Sequence, residues 1–290
     1  MKEPVPAALG IIAGKGAYPL LLAASARRQC VHRLFALAFK GETDRTIARL
    51  VDRVAWINMG QLGAALAALK DSGVREAVMA GQITPTNLFR MRMDRDIIAL
   101  LGRLRTRNAE TIFGAIGEEL RKIGIELRPA SLFMEDCMPD PGVLGARPPT
   151  AAESADIALG LQAAKLTSGL DIGQTVVVKA GTILAVEAFE GTDETIVRAG
   201  RLGGPGCVVV KVAKRGHDLR FDIPVVGERT LTLLRKIRAA ALAVEARRAI
   251  LLDRAALVAQ ADRQGLALVA METEEEKIQK PNIETRNNFE

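Results

Sequence analysis

Aromatic residues are scarce in this 290-residue chain: they make up 3%, with one Trp and one Tyr. The core must therefore be aliphatic. Leu, Ala, Val and Ile dominate, as helices packed on parallel strands require. No apolar run approaches the ~20 residues that a membrane-crossing helix needs. The start, Met-Lys-Glu-Pro-Val-Pro, carries no basic segment leading into an apolar leader with a cleavage site. Cys30, Cys137 and Cys207 form an odd set without CxxC spacing, which argues for reduced thiols in the cytoplasm and against a zinc centre. Only two histidines are present, His32 and His217. There is no G-x-S-x-G elbow, so a covalent nucleophile is unsupported. The G-x-x-x-x-G-K-[ST] loop of P-loop NTPases is missing too. Nucleic-acid signatures are also missing, and we expect no nucleic-acid partner.

What is present is ordinary globular composition, 49% hydrophobic and 26% charged, with a formal net charge of +6. A basic chain suits anionic partners such as phosphates or an anionic membrane face. The length suits two domains. Residues 8–14, "ALGIIAG", read as a buried strand ending in a glycine turn, followed by a helix over "AYPLLLAASARRQC". Further strands ("VHRLFALAF", "RVAWINMG", "EAVMAG") alternate with the helix "QLGAALAALKDSG". This alternation implies βαβ units and a parallel sheet, so residues 1–134 are expected to form a Rossmann-like domain. The Pro- and Gly-rich stretch 135–150 reads as a linker. Residues 151–270 read as a second, mixed α/β domain with a hairpin at "KAGT" and a helix from Thr192, a candidate N-cap. A polar tail occupies 271–290. The fold class is thus α/β throughout.

Four stretches carry candidate chemistry. In "GIIAGKGAYP" the turn at Gly14 and Gly16 reads either as a phosphate-binding turn at a helix N-terminus or as a plain tight turn. Pro19 replaces the last small residue of the dinucleotide fingerprint, which weakens an NAD(P)-dependent oxidoreductase reading without removing it. The alternation in "FRMRMDRD" (89–96) suits lipid headgroups, or equally a solvated edge. In "KVAKRGHDLRFDIPVVGERT" (211–230), Asp218, Arg220 and Asp222 share one face of an extended chain, behind Lys211 and Lys214. Two close carboxylates repel unless a cation intervenes, and an arginine between them can clamp phosphate oxygens. In residues 170–200, Glu187, Glu190 and Asp193 surround a strand end and a helix start, where α/β proteins collect ligands.

Together "GIIAGKGAYPLLLA", "LDIGQTVVVKAGTILAVEAFEGTD" and "GHDLRFDIPVVGERT" resemble the LpxI-type UDP-2,3-diacylglucosamine pyrophosphatases over most of residues 8–270. The resemblance implies Mg2+-dependent hydrolysis of a lipid-linked UDP-sugar to UMP and 2,3-diacylglucosamine 1-phosphate, with water attacking the phosphorus nearest the sugar. It implies a homodimer, and a cytoplasmic enzyme working peripherally at the inner-membrane surface. Asp222 matches the family's essential aspartate, with Asp218 and Arg220 in the same string as further catalytic candidates. Asp222, Glu187, Glu190 and Asp193 are the expected metal ligands. Lys211, Lys214, Thr192, Gly14, Gly16, Gln61 and Gly81 form the expected substrate-binding set. His217 stands where the family pattern carries Gln. The rival readings are the oxidoreductase and a non-catalytic nucleotide-binding protein.

Overall fold

The structure is a computed structural model that describes residues 4–82, 93–106, 108–214, 220–221 and 223–273. The chain divides into two compact units. The first comprises Met1–Cys137 with Gly216–Ile223, the second Met138–Arg215 with Pro224–Glu290.

In the first unit, strands β1 (Ala8–Ala13), β2 (Arg33–Phe39), β3 (Arg53–Ile57), β4 (Glu76–Ala80) and β5 (Glu126–Arg128) form one parallel sheet in the order β3-β2-β1-β4-β5. The runs "ALGIIA" and "RLFALAF" are buried along almost their whole length, as a sheet covered on both faces demands. Helix α1 (Tyr18–Arg28) packs against β1 and β4. Helices α2 (Leu62–Ser72) and α4 (Ala109–Lys122) supply Ala65, Leu69 and Leu120 to a core with Ile12, Leu37 and Met79. Gly73 ends α2 in the left-handed conformation, which a residue without Cβ adopts without strain. The face of α1 is tied to the segment after β5: the Tyr18 hydroxyl donates to the Ala130 carbonyl, and Ser25 Oγ donates to Phe133 O at 2.7 Å.

In the second unit, β6 (Gly142–Val143), β7 (Thr175–Lys179), β8 (Thr182–Val186), β9 (Val208–Lys211), β11 (Ala241–Glu245) and β13 (Ala267–Met271) form a mixed sheet in the order β6-β13-β11-β9-β7-β8. Strands β9, β11 and β13 run parallel, and β7 and β8 form an antiparallel hairpin beside β9. Helix α5 (Ala151–Ser168) covers one face through Ile157 and Ala164. Helices α6 (Thr192–Gly203), α7 (Glu228–Lys236) and α8 (Arg254–Gln264) cover the other through Ile196, Leu231, Leu234 and Leu257. A separate short parallel pair joins β10 (Val225–Val226) to β12 (Ile250–Leu251).

The expectations and the structure differ at four places. The stretch 135–150 is not simply a linker: Gly142–Val143 pair antiparallel with β13, on an outer edge where neighbouring prolines interrupt no inner ladder. By contacts, the described residues Arg220, Phe221 and Ile223 group with the first unit although they lie within the second in sequence. Phe221 packs into the first unit's core, its ring 5.8 Å from Phe113. Thr192 does not cap α6. Gly191, at φ 83°, is the cap, because the Thr192 hydroxyl is engaged elsewhere. The segment from Met271 begins inside the fold: Met271 completes β13, and the Thr273 hydroxyl donates to buried Glu245 at 2.9 Å. Residues 274–290 lie outside the described residues.

Candidate active site

Ligands of open α/β sheets collect beyond the carboxyl ends of the parallel strands. In the second unit, Lys211 is the last residue of β9 and Glu245 the last of β11. Strand register sets Thr175 and Val244 on either side of Lys211, and Val186 beside Val176. Residues distant in sequence therefore meet at one sheet edge.

Lys211 is only 7% exposed. Its ammonium donates to Thr192 Oγ1 at 2.7 Å, and Thr192 in turn donates to Glu187 Oε1 at 3.0 Å. Thr175 Oγ1 lies 3.3 Å from the same hydroxyl, and the Gln174 amide reaches the second Glu187 oxygen at 3.3 Å. The loop entering β7 is drawn against Glu187: a Cβ on Gly173 would sit 2.3 Å from the Glu187 carbonyl. Lys214, also buried, pairs with Asp171.

The remaining acidic candidates of this region are turned to other cations. Glu190 accepts from Arg198 Nη2 at 2.5 Å and from the Thr195 hydroxyl at 3.2 Å. Burial is the largest single influence on Glu190 and raises its pKa. Its own backbone amide, Arg198 and Thr195 together outweigh that, so its carboxyl lies below the ordinary value. Asp193 pairs with Arg229 Nε at 2.5 Å. Of the expected metal ligands among the described residues, Glu187 alone joins the Lys211–Thr192 cluster. Among the described residues no three His, Cys, Asp or Glu side chains gather closely enough to hold an ion. Glu187, Glu190 and Asp193 thus do not make a metal site by themselves. Asp218, Asp222 and His217 lie outside the described residues. Arg220 belongs with the first unit, where its Nη1 would lie 3.9 Å from a Cβ on Gly117 of α4.

In the first unit the glycine turn is zipped shut. Gly14 N–H donates to Ala80 O at 2.8 Å, Lys15 N–H to Gln82 O at 2.8 Å, and Gln82 N–H to Lys15 O at 3.0 Å. A Cβ on Gly14 would fall 2.7 Å from Gln82 O, and one on Gly81 2.8 Å from Lys15 O. These two glycines let two backbones touch, so the Gly14 and Lys15 amides are not available to a phosphate. Gly16, at φ 98°, faces open space. The Gln61 side chain accepts from the Asn58 amide at 3.1 Å and caps no helix. Thr43 closes the ends of β1 and β2, donating to Ala13 O and accepting from Phe39 N–H at 2.9 Å.

Two polar devices escaped the sequence reading. Asp94 caps α3 (Arg95–Arg103) through Ile97 N–H at 2.9 Å, and also receives Gly63 N–H of α2 at 2.9 Å. Its signal was an aspartate three residues ahead of the apolar run that starts at Ile97. Glu245 is fully buried beside Lys165, and its signal was a lone acid inside the apolar string "ALAVEA".

The chain matches the LpxI N-terminal domain model over residues 8–137 and the LpxI C-terminal domain model over residues 140–269. It belongs to the LpxI family. A relative from Caulobacter vibrioides, UDP-2,3-diacylglucosamine pyrophosphatase LpxI, is 29% identical over 279 residues, covering 92% of this chain and 98% of that protein. The LpxI N-terminal match ends at Cys137, where the contact division falls, and the C-terminal match begins at residue 140. The LpxI C-terminal match runs through 216–223, which group by contacts with the first unit.

Proposed function

We propose that this protein hydrolyses UDP-2,3-diacylglucosamine to UMP and 2,3-diacylglucosamine 1-phosphate. The reading follows from family membership and from the printed name of the relative. One observation carries it within the chain. Lys211 is a buried ammonium whose only hydrogen bond to a described residue goes to a neutral hydroxyl. A buried ammonium that meets its nearest described carboxylate only through a hydroxyl is incompletely compensated, and an anionic ligand relieves the remaining cost. Its place beyond the ends of parallel strands suits a phosphate of the substrate.

In this proposal Lys211 and Lys214 hold phosphate oxygens and Thr192 orients the Lys211 ammonium. Glu187 in turn fixes the Thr192 hydroxyl by accepting its hydrogen bond. A water oxygen bonds to the phosphorus nearest the sugar, and the bridging oxygen leaves with UMP. Mg2+ would supply charge neutralisation on the pyrophosphate, with Asp222, helped by nearby carboxylates, as its expected ligand. The net charge of +6 suits a peripheral encounter with an anionic inner-membrane face from the cytoplasm. No helix among the described residues is long and apolar enough to cross a membrane. A homodimer belongs to the same proposal.

The test is UMP release from UDP-2,3-diacylglucosamine by the full chain with Mg2+ and with EDTA. We expect release that EDTA stops, and that Asp222→Ala and Lys211→Met each abolish. In oxygen-18 water the label should enter the lipid phosphate. Label in UMP would overturn the direction of attack, and no UMP release at all would overturn the reaction.

A further inference from the structure

The polar side chain most deeply buried at the end of the second sheet has no part in the mechanism above. Glu245 is 0% exposed, and its carboxylate receives four hydrogen bonds from three donor groups. Lys165 Nζ bonds both oxygens at 2.8 Å, Ala213 N–H reaches Oε2 at 2.9 Å, and the Thr273 hydroxyl reaches Oε1 at 2.9 Å. Arg248 Nε stands 3.6 Å away. Lys165 also donates to Ala213 O at 3.0 Å. Both backbone groups of Ala213 are therefore gripped by the two halves of one ion pair.

Ala213 lies beyond the last residue of β9, where no strand partner among the described residues holds it. It is flanked by Lys211 two residues before and Lys214 one residue after. The chain then enters 216–223, the string that carries Asp218, Arg220 and Asp222. Helix α5, which bears Lys165, is registered at its other end too. Asp156 accepts from Ala180 N–H at 2.8 Å and Gly181 N–H at 2.7 Å, in the turn of the β7–β8 hairpin. The nine-residue step from Asp156 to Lys165 spans about 13.5 Å of helix. Gly160 lies between, so close to β9 that a Cβ would sit 2.5 Å from Val210. α5 is thus a strut pinned at both ends of the sheet.

We propose that Glu245 and Lys165 are positioning residues that clamp Ala213, and so hold the Lys211 and Lys214 ammonium groups in place for the reaction. A buried ion pair contributes little net stability compared with apolar residues of the same volume, because desolvation offsets the attraction. What it supplies here is direction, since an apolar pair would leave both Ala213 backbone groups without these partners. The catalytic part of this proposal rests on the hydrolase reading; the clamp itself does not.

The test is the double variant Lys165→Met/Glu245→Leu in the full chain. It should keep a melting temperature within about 4 °C of wild type. Hydrogen exchange at the Ala213 amide should accelerate at least about tenfold, and kcat should fall about tenfold or more with KM changed less than about threefold. A folded variant with wild-type exchange at Ala213 would overturn the clamp. Faster exchange with wild-type kcat would overturn the positioning role. Should the double variant not fold, Glu245→Gln decides: a kcat loss of about fivefold or more supports the role, and an unchanged kcat removes it. If wild type releases no UMP, the hydrolase reading fails, while exchange at Ala213 still tests the clamp.

Discussion

The Lys211 ammonium lies 2.7 Å from the Thr192 hydroxyl, and Thr192 in turn donates a hydrogen bond to Glu187 at 3.0 Å. A hydroxyl between a cation and a carboxylate has its proton direction determined by both neighbours. Thr192→Val removes this link while keeping the side-chain shape. A hydrogen bond to a charged group contributes about 1.5–3 kcal/mol, so kcat/KM for UMP release should fall about 10- to 100-fold. Thr192→Ser should restore most of it. Wild-type kinetics in the valine variant would remove Thr192 from the site.

The touching backbones of Gly14 and Gly81 predict an order of stability among three glycine variants. Gly81→Ala meets both a positive φ of 92° and backbone atoms of Lys15 at 2.8 Å. It should cost about 3 kcal/mol or more in urea unfolding. Gly14→Ala meets backbone at 2.7 Å without positive φ and should cost somewhat less. Gly16→Ala has φ 98° and open space, so only about 1 kcal/mol of conformational strain applies. A Gly16 variant as damaged as the Gly81 variant would contradict this account.

Asp94 serves two helices with one carboxylate, through Ile97 N–H and Gly63 N–H. Loss of one cap costs about 1 kcal/mol, so Asp94→Ala should lower unfolding free energy by about 2 kcal/mol. Asp94→Asn keeps one acceptor oxygen and should lose about half as much. Equal losses in the two variants would show that only one of the two bonds matters.

Acid should weaken the first unit partly through Asp52. The Leu34 amide, at 2.7 Å, and then the Arg27 guanidinium hold this carboxyl below its ordinary value. A carboxyl depressed in the folded state stabilises above its unfolded pKa of ~3.9, and that contribution vanishes as pH falls through the lower folded value. Asp52→Asn should therefore melt below wild type at about pH 6, with the gap closing below about pH 3. A gap independent of pH would remove the electrostatic explanation.

The three thiols should separate by burial. Cys30 is exposed, whereas Cys207 is 0% exposed and burial pushes its thiol up, opposed by Lys179. At about pH 8 a thiol-specific disulfide reagent should modify Cys30 rapidly and Cys207 only on unfolding. Fast labelling of Cys207 in the native protein, read by peptide mass, would contradict the packing of β9 beneath α6.

Most of the fold was legible along the chain because its signals are local. "ALGIIA" before a glycine turn, Gly73 closing α2, and the Ala180–Gly181 turn of the hairpin each depend on a few adjacent residues. Both central turn residues have positive φ, 48° and 74°, as tight hairpins favour. The site was legible only in part. Lys211, Thr192 and Glu187 were named from their strings, yet Glu190 and Asp193 were expected beside Glu187 because they are near it in sequence. Instead Glu190 faces Arg198 on α6 and Asp193 faces Arg229 on α7.

Local alternation and turn chemistry were therefore enough for the α/β class, the strand and helix segments and the basic residues at the end of β9. Which groups share a buried charge was settled only by strand order and register. Val244 beside Lys211 brings Glu245 to the sheet edge, and α5 brings Lys165 to meet it from 80 residues away. A buried charge must find its partner wherever the packed chain offers one, and that choice is made in three dimensions.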